Sequence, residues 1–255
     1  MADYDIIGSI AVIKAGKNKK EELKQADLLL KRGNVKTVVE KASDVRGRLR
    51  TIKIKHIKGE KNSITLHREN DCNFLLDIKS CYFSPRLSGE RKLISEKIKS
   101  KDSILVMFAG IGVYPIVIYN YKKPRKIVGI ELGKECCKYF KENLKLNKIS
   151  KDRIEVLQGD VKKVMKNWKD KFNVVIMARP NLKESFLKYG LKACKKGTRL
   201  FYYAFSHEDN LNEVINNLKH EAILLKRKIF VGKIVKAGNI APGKYRYRIE
   251  IKVLN

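Results

Sequence analysis

Two glycines, Gly110 and Gly112, close the apolar stretch SILVMFAGIG at residues 103–112. The pattern predicts a buried strand that ends in a tight turn, where bare backbone can approach a ligand closely. A second predicted strand, KIVGIE, ends at Glu131, whose carboxylate could accept both hydroxyls of a ribose. Dinucleotide enzymes and S-adenosylmethionine enzymes share this arrangement. Because AGIGVYP lacks a full GxGxxG, S-adenosylmethionine is favoured. The structural alternative is that the glycines only let the next helix pack closely against its strand.

Two further carboxylates stand where they could take part in chemistry. Asp160 follows a third predicted strand, RIEVLQ, and could accept from the exocyclic amine of adenine. It could equally cap the helix predicted from Val161. Glu90 lies in YFSPRLSGER at residues 82–91, just before the glycine-containing strand. On the residues alone this segment is a domain junction and a helix start, with Glu90 stabilised by the helix dipole.

The elements that must position these residues change in character at residue 84. Before it, strand-like runs and one amphipathic helix predict a small α+β domain, residues 1–83. After it, strands and helices alternate, which requires a parallel sheet with helices on both faces. The chain ends in two alternating strands joined by Ala241-Pro242-Gly243, an antiparallel hairpin at the sheet edge. The prediction for residues 84–255 is therefore an α/β class I methyltransferase (Rossmann-like) doubly wound sheet with an antiparallel C-terminal hairpin. The individual predictions include one strand over 5–13, a helix over 21–33, a strand over 48–59 and a helix over 88–99 capped by Ser88.

The charge balance indicates a polyanionic partner. Lys and Arg number 57 against 27 Asp and Glu, a formal net charge of +30. A nucleic acid is the natural partner, because each neutralised phosphate releases counterions; a Lys-rich proteome is the alternative. The candidate phosphate contacts are the basic segments 48–58, 222–236 and 244–248, and Tyr245 and Tyr247 could stack on bases.

Several other classes are excluded by the sequence. No apolar run approaches the length of a membrane span. The N-terminus MADYDIIGSIAVIK lacks the layout of a secretion signal, so we expect an intracellular, cytoplasmic protein. The five cysteines form no CxxC pair and no ligand spacing with the four histidines, so no metal site is expected.

Several segments, in one order, resemble the archaeal and eukaryotic tRNA (guanine-37 N1)-methyltransferases, near the archaeal bifunctional subgroup that also methylates 4-demethylwyosine. The segments are YDIIGSIAVIK, GRLR, TLHREND, CYFSPRLSGER, MFAGIG, GIELGKE, ENLKLNKI and LQGDV, over residues 4–165. The resemblance implies methyl transfer from S-adenosylmethionine to N1 of guanosine 37 in the tRNA anticodon loop, with tRNA-Phe as the expected substrate. It leaves open a second reaction, C7 methylation of 4-demethylwyosine in tRNA-Phe. We expect a monomer that recognises tRNA without the family's extra N-terminal domain.

The resemblance also implies residue roles. A base must remove the N1 proton as N1 attacks the methyl group, and negative charge then develops on O6, where a fixed cation is useful. Glu90 matches the general base, and Arg50, which ends GRLR, matches the catalytic arginine that contacts the target guanine and its O6. The implied cofactor contacts are Tyr82, Phe108, Gly110, Gly112, Glu131 and Asp160. The candidate substrate contacts are Arg86, Arg179, Pro180 and Asn181. Arg179 and Pro180 fall within the place of the family's Asn-Leu-Pro motif, and Asn181 directly follows it.

Two positions depart from the family pattern. Val106 stands where the family usually has Asp before MFAG, and Ala178 stands where the family has the Asn of Asn-Leu-Pro. The lost Asn keeps a second enzyme hypothesis open, the aminocarboxypropyl transferase of wyosine synthesis, which uses the same cofactor. Both departures are also compatible with a noncatalytic tRNA-binding protein.

Overall fold

The computed structural model describes residues 4–14, 18–42, 49, 51–178 and 184–255. Within these ranges no helix is long and apolar enough to cross a membrane. The described chain forms a small mixed sheet, a separate hairpin and a large sheet covered by helices on both faces.

The N-terminal part is a four-stranded sheet covered by one helix. Its strands lie in the order β1-β2-β3-β4, and helix α1 begins after Asn18, whose side chain accepts from the amide of Glu21. The bounds are β1 Tyr4–Ile7, β2 Ile10–Ile13, α1 Lys19–Leu30, β3 Thr37–Lys41 and β4 Ile54–Gly59. The prediction of one strand over 5–13 is wrong, because the chain reverses at Gly8. There φ is +56°, and a Cβ would lie 2.5 Å from the carbonyl oxygen of Leu66, so a close approach to the neighbouring hairpin requires glycine.

That neighbouring hairpin, β5 Ile64–Glu69 and β6 Cys72–Asp77, forms its own two-stranded sheet. One side of β6 is buried in the same core cluster as the helices of the large sheet. Two asparagines on helix α4 (Lys134–Leu146) and just after it fix the strand by its backbone: Asn143 Oδ1 accepts from the amide of Leu75 at 2.7 Å, and Asn147 Oδ1 from that of Asn73 at 2.8 Å. The hairpin is therefore fixed to the helical layer of the large sheet.

The large sheet has seven strands in the order β12-β13-β11-β10-β7-β8-β9, and β13 runs antiparallel to the other six. Its strands are β7 Ser103–Met107, β8 Lys126–Glu131, β9 Ile154–Gln158, β10 Phe172–Met177, β11 Cys194–His207, β12 Ile229–Ala241 and β13 Lys244–Val253. The remaining helices are α2 Ser88–Glu96, α3 Val113–Lys122, α5 Val161–Val164, α6 Leu187–Lys192 and α7 Leu211–Leu224. The predicted fold class, a doubly wound class I methyltransferase sheet with an antiparallel C-terminal hairpin, is confirmed. Ser88 does not cap α2; it is the first residue of that helix and its hydroxyl accepts from Asn70.

The period-two alternation of the strands divides the core between the two faces of the sheet. On β7, Ile104 and Val106 face the cluster that contains α2, α3 and α4, whereas Leu105 and Met107 face the cluster that contains α5, α6 and α7. Both faces are covered, as a parallel sheet requires. Val106, one of the two positions that depart from the family pattern, is fully buried in the first of these clusters.

The position of β13 decides the environment of the C-terminal arginines. β13 lies inside the sheet between β11 and β12, so both of its edges are paired, and successive residues near its centre are buried on both faces. Arg246 and Arg248 are 5% and 2% exposed, and Tyr247 is 2% exposed. The prediction that residues 244–248 form a surface for phosphates and bases is therefore wrong for these three residues.

Candidate active site

The carboxylate of Glu131, at the end of β8, accepts a hydrogen bond from the turn after β7. Glu131 Oε2 accepts from the amide of Gly110 at 2.9 Å, and its Oε1 accepts from the amide of Gly133 at 2.7 Å. Gly110 has φ +59°, and a Cβ on it would meet no atom within 4 Å, so its open side faces free space. The two glycines of the motif differ here. A Cβ on Gly112, at φ +88°, would lie 2.1 Å from the Phe140 ring, so Gly112 makes room for the packing of α4.

A half-open cleft lies above this turn. Phe108 lines it with φ +63°, a strained backbone for an aromatic residue and one typical of functional sites. The cleft crosses the carboxyl ends of three adjacent strands: Ala178 follows β10, Phe108 follows β7 and Glu131 ends β8. Neighbouring strands are about 4.8 Å apart, so these residues span a groove of ligand length at the edge where doubly wound sheets bind ligands. Other lining residues are Leu49, Tyr82, Phe83, Ser84, Leu87, Arg91, Tyr114, Cys136 and Arg246.

A second cavity of about 490 Å³ adjoins the cleft, between the N-terminal sheet and the large sheet. The two spaces share part of their wall, formed by Tyr82, Phe83, Ser84 and Arg246. Arg246 stacks its guanidinium over the ring of Phe205 at 5.1 Å, and no ion pair between described residues includes it. A buried cation without a carboxylate partner in that part of the chain therefore stands where the two spaces meet.

Glu90 lies behind the cleft rather than on its wall. It is 6% exposed and is held by Arg248, whose Nη1 donates to Oε1 at 2.7 Å and to Oε2 at 2.6 Å. The hydroxyl of Tyr203 also donates to Glu90 Oε1. Arg248 and Tyr203 are directly opposite each other on β13 and β11, so the register of these strands presents both groups to α2. The hydroxyl of Tyr114, on α3, donates to that of Tyr203 at 3.0 Å and brings this chain of hydrogen bonds to the cleft wall.

Burial and pairing set the protonation of this network. Burial alone would lower the pKa of Arg248, but its hydrogen bonds to Glu90 and the charge of Glu90 outweigh that effect and raise it, so the guanidinium stays charged. Burial raises the pKa of Tyr114 to about 12 and raises that of Tyr203 well above its ordinary value, and the charge of Glu90 adds to both. Both phenols are therefore neutral near pH 7.

The remaining predicted site residues have the following places. Arg86 lines neither cavity, and its Nε donates to Asp5 Oδ1 at 2.6 Å. Asp160 caps α5 by accepting from the amide of Lys162 at 3.0 Å, which confirms its predicted capping role. Arg50, Arg179, Pro180 and Asn181 lie outside the described residues. No group of three or more His, Cys, Asp or Glu side chains that could hold a metal ion occurs among the residues that are described.

Four residues of the site were not predicted from the sequence: Tyr114, Tyr203, Arg246 and Arg248. The two arginines carry a weak signal, because KYRYRIEIKV alternates strictly and alternation indicates a strand with two distinct faces. The sequence gives no sign that both faces of this strand are covered. Tyr114 lies two residues after Gly112, and it lines the cleft.

The cleft fits S-adenosylmethionine on observations of its own residues. The side of Gly110 that a Cβ would fill is open, Glu131 ends the strand where a ribose would lie, and Phe108 and Tyr82 offer apolar walls. The cleft has a cavity volume of about 100 Å³ and is half open to solvent, so the cofactor would extend into its open side. A seven-stranded sheet of this order with such a cleft defines a class I methyltransferase that uses S-adenosylmethionine.

Comparison with known proteins identifies the family. The model of the TRM5/TYW2 methyltransferase domain matches residues 65–230. The chain is 30% identical over 252 residues to the tRNA (guanine(37)-N(1))-methyltransferase Trm5b of Methanocaldococcus jannaschii, covering 98% of this chain and 70% of that protein. It is 30% identical over 302 residues to the tRNA (guanine(37)-N(1))/4-demethylwyosine(37)-methyltransferase Taw22 of Nanoarchaeum equitans, covering 98% and 99%. The crystal structure of Trm5b from Pyrococcus abyssi superposes with a TM-score of 0.87 at 29% identity, covering 99% of this chain and 75% of that one.

The chain therefore belongs to the TRM5/TYW2 methyltransferase family. The predicted resemblance, the predicted enzyme class and the predicted cofactor, S-adenosylmethionine, are confirmed.

Proposed function

We propose that this protein transfers the methyl group of S-adenosylmethionine to N1 of guanosine 37 in tRNA. The observation that carries the proposal is the shared wall of the two cavities at residues 82–84 and Arg246. A cofactor in the cleft and a planar base in the second cavity would meet at this wall. The similarity to Trm5b and Taw22, both named for guanosine 37, supports the same substrate.

In this proposal the described residues divide the work between them. Glu131 holds the ribose of the cofactor, and Tyr82 lies beside the transferred methyl group. Glu90 is the base that finally holds the N1 proton. Arg246 supplies a fixed cation for the charge that develops on O6, because it is buried, charged and on the wall of both cavities. Arg50 remains the predicted catalytic arginine at the target guanine, and Arg179, Pro180 and Asn181 remain predicted substrate contacts.

The direct test is product analysis. Purified protein, S-adenosylmethionine labelled in its methyl group and an unmodified tRNA-Phe transcript should give labelled 1-methylguanosine, detected by mass spectrometry of the digested tRNA. A transcript with adenosine at position 37 is the control and should stay unlabelled. Absence of 1-methylguanosine while the protein still binds the cofactor and the tRNA would refute the proposal.

A second reaction at the same tRNA position, C7 methylation of 4-demethylwyosine, is favoured by one observation. The alignment with the bifunctional relative from Nanoarchaeum equitans spans nearly the whole of both chains. We expect tRNA-Phe that carries 4-demethylwyosine to gain one methyl group at that base. Aminocarboxypropyl transfer would instead leave methylthioadenosine as the by-product, whereas methyl transfer leaves S-adenosylhomocysteine, so chromatography of the spent cofactor distinguishes the two.

Residues 1–83 are proposed as the RNA-facing domain of a monomer that acts on cytoplasmic tRNA, and residues 84–255 as its methyltransferase domain. Part of the predicted basic surface on β4 is already neutralised: Lys55 contacts Glu40 at 2.9 Å and Lys58 contacts Asp27 at 2.5 Å. The remaining positive charge should make tRNA binding strongly dependent on salt. Affinity that barely falls between low and moderate salt would contradict an electrostatic interface.

A further inference from the structure

Glu90 is separated from the cleft by two phenols. Its side chain is 5% exposed and does not line the cleft, whereas the side chain of Tyr114 does. A guanine whose N1 reaches from the second cavity to the methyl group in the cleft would therefore meet Tyr114 before it could reach Glu90. This separation matters because a general base must lie within hydrogen-bond reach of the proton that it removes, or must be connected to it.

The hydrogen bonds between the cleft and Glu90 all run in one direction. Tyr114 donates to Tyr203, and Tyr203 donates to Glu90 Oε1. The hydroxyl proton of Tyr114 is thus committed to Tyr203, and its oxygen keeps lone pairs free to accept a hydrogen bond on the cleft side. The chain of donors ends on a carboxylate, so it is oriented to carry a proton from the cleft toward Glu90.

We propose that the hydroxyls of Tyr114 and Tyr203 relay the proton of the target base to Glu90, so that Glu90 acts as the base without touching the substrate. The proposal rests on the proposed function and deepens it. Tyr114 is then the residue that contacts N1–H, and Tyr203 positions the proton for its last transfer.

The step balances as follows. The N1–H bond breaks and its proton joins the oxygen of Tyr114, which passes its own proton to Tyr203, which passes its own to Glu90. N1 keeps the electron pair of the N–H bond and forms the N1–C bond, while the C–S bond breaks and its electron pair stays on sulfur. One positive charge on sulfur and one negative charge on Glu90 are lost together, and both phenols end neutral.

Arg248 keeps a carboxylate partner after the proton has been transferred to Glu90. Its Nε donates to Glu250 Oε1 at 3.1 Å, and Lys97 contacts the same carboxylate oxygen at 3.2 Å. When Glu90 becomes neutral, the buried guanidinium therefore still has a carboxylate partner. The high pKa values of the two phenols agree with their role as neutral carriers.

The test uses Tyr114→Phe in the full-length protein, because this change removes the first hydroxyl and leaves every contact of Glu90 in place. We expect the single-turnover rate of 1-methylguanosine formation to fall by about 10², the scale of a lost general base, while the affinities for S-adenosylmethionine and tRNA are unchanged. We expect the single-turnover rate of Tyr203→Phe to fall by a similar factor. The rate of the double variant should fall no further than that of either single variant, because removing one hydroxyl already interrupts the proton relay. The matched control is Tyr247→Phe, because Tyr247 is also a buried tyrosine and its hydroxyl has no hydrogen-bond partner among the described residues.

A second measurement needs no variant. With several protons in motion, the single-turnover rate of the wild type should depend on the fraction of D₂O along a curve, and that curve should be lost in Tyr114→Phe. A straight line for the wild type, or a Tyr114→Phe rate equal to that of Tyr247→Phe, would overturn the relay while leaving the proposed function intact. A wild type that makes no 1-methylguanosine would instead overturn the proposed function.

Discussion

Two buried glutamate–arginine pairs lie side by side around α2, and they do different things. Glu69 and Arg91 join the hairpin β5–β6 to α2, and Glu90 and Arg248 join α2 to β13. No side chain of either pair is more than 5% exposed. Their chemistry is the same, so the comparison isolates the effect of the surroundings.

The pairs differ in how the arginine uses its nitrogens. Arg91 places Nε on one oxygen of Glu69 and Nη2 on the other, a closed fork that occupies both oxygens. Arg248 spans both oxygens of Glu90 with Nη1 alone and turns its Nε to Glu250. Glu90 Oε1 therefore also accepts from Tyr203, whose hydrogen bonds lead to the cleft. A buried ion pair becomes part of a site when one of its acceptors remains connected to a cavity.

The largest expected effect is on stability and is common to both pairs. Arg91→Met and Arg248→Met each leave a carboxylate buried without its guanidinium, which costs about 3–5 kcal/mol of unfolding free energy. The free energy of unfolding can be measured by urea denaturation that is monitored by circular dichroism. The controls are double variants that remove both charges of a pair, Glu69→Leu/Arg91→Met and Glu90→Leu/Arg248→Met. We expect each double variant to be more stable than the corresponding arginine variant, because no unpaired charge stays buried. A loss below about 1 kcal/mol, the range of surface pairs, would contradict the burial of that pair.

The next largest effect is on the methylation rate, and it is expected for only one of the two pairs. Glu90→Gln should lower the single-turnover methylation rate by about 10², whereas Glu69→Gln should leave the rate of the folded protein near that of the wild type. Both changes are isosteric and both leave an arginine buried, so each variant serves as the control for the other. A Glu90→Gln variant as active as Glu69→Gln would mean that another group accepts the proton, or that the protein binds tRNA without catalysis.

The comparison also shows what the sequence could predict. The alternation of strands and helices predicts the parallel sheet. MFAGIG predicts the turn at Gly110, and GIE predicts the position of the Glu131 carboxylate. Each prediction succeeds because it depends only on neighbours within one βα unit. The family resemblance of YFSPRLSGER predicts Glu90 as the general base, but the hydrogen-bond partners of Glu90 lie more than 100 positions away in sequence.

The unpredicted part depends on strand order. β13 lies between β11 and β12. Its sequence, KYRYRIEIKV, would fit an edge strand of the sheet equally well. The sequence therefore predicts that Arg246 and Arg248 are surface charges, whereas both are buried in the structure. The sequence also does not predict the reversal at Gly8, because the backbone of Leu66 that approaches this glycine belongs to a hairpin distant in sequence.

A smaller effect follows from the pKa of Glu69. Burial would raise this pKa, but the hydrogen bonds from His67 and Arg91 outweigh burial and lower it below 4.5. A lowered carboxyl pKa contributes stability that is complete above the unfolded value and is lost as pH falls through the folded one. The urea midpoint of the wild type should therefore fall as pH decreases below about 4.5, and the part due to Glu69 should be absent in Glu69→Gln. Parallel pH profiles for the two proteins would contradict this assignment.

The smallest effect is expected where the same kind of contact lies in water. Lys236 Nζ is 2.8 Å from Glu208 Oε1, a distance similar to those of the buried pairs, but the two side chains are 45% and 60% exposed. Solvent and salt screen such a pair, and holding two long side chains in place costs entropy. We expect Lys236→Ala to leave the urea midpoint unchanged within error, although Lys236 also lies 4.2 Å from the ring centre of Tyr245. If Lys236→Ala destabilised the protein as much as Arg248→Met, distance rather than burial would set the energy of these pairs, and the difference between structural and functional pairs would have to be sought elsewhere.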